Sequence, residues 1–219
     1  MDTPDKDIIT SLEAVNDEVN KLFELLKVSF RGRVYGDDVV RDALATLILT
    51  DGVLYQKLTP IFKSQSTSKV IEFAALARLL LESLGVISWI LGEPEQGANR
   101  AQRYMDTGLD LNDHYNNLTK DGFGVARRTR SRLPSTEKLL QATGIEELKG
   151  WYDELNYFIH PSSAVMMHGA AGDLHKVLNF GIFIAGDVFA EAIRRVAGTF
   201  DLPQGTIDAA KLVHTRSIS

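Results

Sequence analysis

The segment Val70–Leu91, VIEFAALARLLLESLGVISWIL, limits what this chain can fold into more than any other stretch. It is long enough to cross a bilayer, for which about 20 apolar residues suffice. Glu72, Arg78 and Glu82 stand inside it, however. A charge at the centre of a membrane span costs about 2.5–3.5 kcal/mol even on the most lenient scale. The segment therefore reads as the buried central helix of a folded domain. A helix that is apolar on most sides needs packing partners on most sides.

The flanking sequence supplies those partners. Ile8, Leu12, Val15, Val19, Leu22 and Leu26 fall at alternating steps of four and three, one stripe of a helix, with acidic Glu13, Asp17, Glu18 and Glu24 between them. Residues 1–30 are thus expected to form an N-terminal amphipathic helix that packs on the domain or on a second copy of the chain. After a break over residues 31–37, Asp37 or Asp38 can cap the next helix. There Val40, Leu44, Leu47, Asp51, Leu54 and Leu58 keep helical spacing up to Pro60. The polar run from Lys63 to Ser68 marks a turn. Gly92 and Pro94 end the central segment, and Pro94 suits the first turn of a helix carrying Ala101, Tyr104, Gly108, Leu111, Tyr115 and Leu118.

Residues 120–134 lack apolar periodicity and read as a loop. Ser135 or Thr136 can cap a short helix with Glu137 in its first turn. Beyond Gly144, the stripe Leu148, Tyr152, Leu155 and Ile159 predicts a helix ending at His160, because Pro161 disfavours helical geometry before it. Residues 161–175 are small and glycine-containing. A long helix follows over about 176–200, then a tail, 201–219, with room for one further short helix. No alternating run reads as a strand, and no repeat is visible. The expected fold is an all-α helical bundle of five to seven helices over residues 37–200, between the N-terminal helix and the tail.

Composition removes several chemistries. The 219 residues include no cysteine, which excludes disulfides, thiolate nucleophiles and cysteine-type zinc or iron–sulfur sites. With 29 acidic against 24 basic side chains the net charge is −5, which argues against bulk adhesion to nucleic acid but allows a local basic patch. The opening Met-Asp-Thr-Pro-Asp-Lys-Asp has no basic-then-apolar signal pattern, so a cytoplasmic protein without membrane attachment is expected. There is no Walker loop, dinucleotide glycine pattern or nucleophile elbow.

Four groups of polar residues are candidates for chemistry. Arg78 and Glu82 lie four apart in the most apolar helix. Either they form an ion pair, with Arg78 also bonding an acid or carbonyl on a neighbouring helix, or they face a polar pocket where Arg78 binds an anion such as phosphate. Tyr152, Asn156 and His160 are also spaced by four and project to one broad helix face. His160, at the helix C-terminus, is either a capping residue or an acid/base group. Arg127, Arg128, Arg130 and Arg132 form the basic cluster, which is solvated loop charge or a phosphate-binding element. His168, Asp173 and His175, like Asp106, Asp110, Asp113 and His114, are better read as ordinary polar surface than as metal ligands. No metal or cofactor is expected.

The residues Ala77-Arg78-Leu79-Leu80-Leu81-Glu82, the Tyr104 helix and Leu155-Asn156-Tyr157-Phe158-Ile159-His160-Pro161-Ser162 together resemble a group of bacterial helical proteins related to the HEPN superfamily, over about residues 40–195. The resemblance implies a HEPN-like bundle, often a homodimer. It also implies a link to metal-independent ribonucleases of toxin–antitoxin and antiviral defence systems, or to non-catalytic members that bind RNA, nucleotides or protein partners. The family motif is Arg, a polar residue, three variable residues and His. Asn156 and His160 match the polar residue and the histidine. The arginine position is Leu155, which cannot stabilise developing phosphate charge. Whether the chain is an enzyme therefore turns on another arginine, for which Arg78 is the candidate. The resemblance thus implies catalytic roles for Asn156 and His160, to which Arg78 is added as a substitute arginine from another helix, while Glu82, Tyr104, Tyr152 and the arginine cluster are taken as binding residues. The alternative is a non-enzymatic interaction module whose polar cluster is structural.

Overall fold

A computed structural model describes residues 38–64, 67–107, 133–159 and 174–208, together with Asp17, Asn20, Lys21, Phe23 and Glu24. Every regular element among the described residues is helical. The main helices are α1 (Val39–Ser64), α2 (Val70–Leu91), α3 (97–107), α4 (Thr136–Gln141), α5 (Glu147–Ile159) and α6 (Leu174–Phe200). Short 3₁₀ turns precede α2 and α3, and residues 204–208 are helical. The all-α bundle expected from periodicity is therefore present. Among the described residues no helix is long and apolar enough to cross a membrane.

The apolar segment is the hub, as its composition requires. Helix α2 packs against α1, α4, α5 and α6. From Ser83 to Ser88 every residue of it is buried. Register follows from individual contacts. Asp51 of α1 meets Ser83, and Val40 at the start of α1 lies by Gly97 just beyond the end of α2, so the two helices run antiparallel. Gly181 and Arg195 of α6 meet Phe73 and Ser88, so α6 runs parallel to α2. Tyr55 stacks on Phe189 at 6.0 Å, and Arg41 lies over Phe200, so α1 and α6 are antiparallel. Tyr152 and Asn156 of α5 meet Glu82 and Arg78, again antiparallel.

Local chemistry sets the helix ends. The Asp38 carboxylate accepts the backbone N–H groups of Val40 and Arg41 at 2.9 and 3.2 Å, so Asp38 is the cap of α1. Gly144, at φ +70°, turns the chain between α4 and α5 in the left-handed region that suits glycine. Helix α1 differs from expectation, because it runs through Pro60 to Ser64. Proline removes a helix hydrogen bond and crowds the preceding turn. Beyond it, Ile61 and Phe62 are buried, and burial of two such side chains is worth about 1.5–3 kcal/mol each, which offsets that cost.

Phe23 joins the same core. Phe23 is buried, with its ring 6.3 Å from that of Phe189. It fills the space above Gly52, where an added Cβ would lie 2.0 Å from the Phe23 ring. The core also continues past residue 200: Leu202 and Thr206 are buried, so the start of the expected tail belongs to the bundle.

Candidate functional site

Arg78 and Glu82 sit one turn apart on α2, where that helix faces α5. The Arg78 Nε donates to Glu82 Oε1 at 3.1 Å, and Nη1 donates to the amide oxygen of Asn156 at 2.9 Å. The Tyr152 hydroxyl donates to the same Glu82 oxygen at 3.0 Å. The Arg78 guanidinium lies 5.3 Å from the centre of the Tyr152 ring, within the range of a cation–π contact. Four residues picked out from spacing thus form one cross-helix cluster. The ion pair and the bond to a neighbouring helix's carbonyl are both present.

The geometry has a simple cause. Steps of four bring Tyr152 and Asn156 to one flank of α5, just as they align Arg78 with Glu82 on α2. With the helices antiparallel, the two pairs meet in order. Leu148 and Leu155 on the adjacent flank are buried and clamp α5 to the core. Leu155 directly precedes Asn156. It is 1% exposed, so an arginine there would enter the core. Arg78 instead reaches Asn156 from α2.

The cluster is half-open. The side chains of Arg78 and Glu82 keep 28% and 26% exposure. A guanidinium only donates, so Asn156 must present its oxygen to Arg78 and turn its amide N–H₂ elsewhere. The Nη2 edge of Arg78 is not used by these bonds. One side of the cluster is therefore rich in donors, next to a carboxylate that offsets part of the positive charge.

Tyr104 lies elsewhere. It is half-buried, and its phenol is pushed up first by burial and then by the charge of Asp51. Its half-buried ring packs against the core, and none of the bonds that build the Arg78 cluster involves it. His160, Arg127, Arg128, Arg130 and Arg132 lie outside the described residues, as do Asp110, Asp113, His114, His168 and Asp173. Asp106 accepts a hydrogen bond from Gln102. Among the described residues no group of three or more metal-ligating side chains occurs.

Two further networks were not singled out from the sequence. Arg195 of α6 donates to Glu191 at 2.7 Å, to the Ser88 hydroxyl at 3.0 Å and to the Thr143 carbonyl at 2.7 Å. It ties α6, α2 and the end of α4 together. Asp51 is buried in the α1–α2 seam, and its place on an otherwise apolar stripe was the available signal. No family model, curated protein or solved structure matches this chain.

Proposed function

We propose that the protein binds RNA or a nucleotide through the cluster of Arg78, Glu82, Tyr152 and Asn156. The observation that carries this reading is the 2.9 Å bond between Arg78 and Asn156 across two helices, 78 residues apart in sequence. It brings an arginine to the polar position of the HEPN-like motif, although the motif's own arginine position holds Leu155. The Nη2 edge of Arg78 and the Asn156 amide N–H₂ are suited to phosphate oxygens, for which arginine's planar fork is well shaped. His160, four positions after Asn156, is the acid/base group if the bound RNA is cleaved. Arg78 is then the phosphate clamp, and no metal is needed. In this reading the protein is a cytoplasmic bacterial HEPN-like homodimer of a toxin–antitoxin or antiviral defence system, and Arg127, Arg128, Arg130 and Arg132 extend the phosphate contacts.

A second reading is a non-enzymatic module that binds another protein. Glu82 favours it, because one carboxylate oxygen takes both Arg78 and Tyr152 and leaves the cluster largely satisfied in itself.

The test uses a labelled single-stranded RNA oligonucleotide, with binding followed by fluorescence anisotropy and cleavage by gel. RNA binding should weaken steeply with added salt. It should fall at least about tenfold in Arg78→Gln, the loss of about 1.4 kcal/mol expected for one charge-assisted contact. His160→Ala should abolish cleavage and leave the fold intact by circular dichroism. Salt-independent or absent binding, together with a stability loss in both variants, selects the structural reading.

A further inference from the structure

Asp51 is the most costly side chain in the core and plays no part in the Arg78 cluster. It is 1% exposed. Its Oδ2 accepts the Ser83 hydroxyl at 2.8 Å, and its Oδ1 has no hydrogen-bond partner. Among the described residues no lysine or arginine forms an ion pair with it. An ionised carboxylate held this way has one hydrogen bond and no counter-charge, and desolvation then favours the neutral acid.

The groups around it do not supply the missing charge. On its own helix, one turn on, Tyr55 is buried with its hydroxyl unpartnered and its ring stacked on Phe189 of α6. Burial and then the charge of Asp17 push the Tyr55 phenol up, so it remains protonated. On α3, Tyr104 is half-buried, and burial and then the charge of Asp51 push its phenol up, so it also holds its proton. From α2 the facing polar group is Ser83, since the Glu82 carboxylate turns to Tyr152.

We propose that the folded chain keeps Asp51 as an uncharged acid, and that this carboxyl is a pH-sensitive latch on the α1–α2 seam, closed while it holds its proton. The inference is independent of any RNA site. Burial raises the Asp51 carboxyl well above the usual carboxylate range, and the Ser83 hydrogen bond opposes this by a smaller amount. The unfolded chain loses the same proton near pH ~3.9. Between that pH and the folded value, the native state binds more protons than the unfolded state. Stability from this group is therefore full at acid pH and is lost as pH rises. The seam also carries Gly52, against which the Phe23 ring is seated, so opening it would loosen Phe23.

The experiment compares urea unfolding of the full chain with that of Asp51→Asn, an isosteric amide that does not titrate, from pH 5 upwards. The ratio of the two unfolding constants, wild type over variant, should rise about tenfold per pH unit until the folded protein releases the proton. A ratio that stays flat or falls with pH overturns the proposal. Should Asp51→Asn fail to fold, carbon-13 spectra of aspartate-labelled wild type give the answer directly. An Asp51 carboxyl carbon at its neutral-acid shift at pH 7 supports the latch, and a carboxylate shift overturns it. Ser83→Ala, which perturbs that resonance and so assigns it, should move its titration to higher pH.

Discussion

The bond between Arg78 and Asn156 can be measured by a double-mutant cycle. In Arg78→Ala three contacts are lost. The i,i+4 pair with Glu82 is worth about 0.3–0.5 kcal/mol, because both side chains are more than a quarter exposed and solvent screens them. The cation–π contact with Tyr152 adds about 0.5–1 kcal/mol. The bond to Asn156 has a charged donor, which would give about 1.5–3 kcal/mol if sealed. Partial exposure reduces it to about 1 kcal/mol. The sum is about 2–2.5 kcal/mol. At roughly 2–4 °C per kcal/mol for a chain of this size, Tm should fall by about 4–10 °C. Asn156→Ala should cost about 1 kcal/mol, because Arg78 keeps Glu82. The double variant should then cost less than the sum of the singles by about 1 kcal/mol. Urea unfolding followed by circular dichroism reads all four proteins, provided the m-value is unchanged. A coupling energy below about 0.3 kcal/mol, the usual limit of additivity, would refute the cross-helix bond.

Other perturbations have opposite signs. In Gly85→Ala the new Cβ would lie 3.0 Å from the backbone of Leu139, which has little room to give, so α4 is forced off α2 and stability falls by about 1–3 kcal/mol. Gly150→Ala and Gly198→Ala, in helices with nothing within 4 Å, should raise stability by about 0.5–1 kcal/mol in the same urea assay. Arg195→Ala leaves the Thr143 carbonyl and Glu191 short of a donor and should cost about 2–4 kcal/mol; an unchanged urea midpoint would show that α4 is held by other means.

Spacing alone made the helices legible. The stripe on α1, the charge-interrupted apolar run of α2, and the Leu148–Leu155 stripe of α5 each appear as helices with those residues inward, because side-chain period is a local property of the backbone. The Arg78–Glu82 pair and the alignment of Tyr152 with Asn156 were legible for the same reason. Local rules failed at Pro60, where packing of Ile61 and Phe62 carried the helix on.

By itself the sequence determined which faces are oily, where turns fall, and that charges on α2 must find partners. Only the tertiary structure decided which partners these are. The antiparallel register of α2 and α5 joins Arg78 to Asn156, and the α1–α2 seam leaves Asp51 with Ser83 and little else. Helical periodicity is written within a dozen residues. The meeting of side chains 78 or 32 positions apart depends on how whole helices slide and rotate as the core closes, and no short stretch of sequence encodes that.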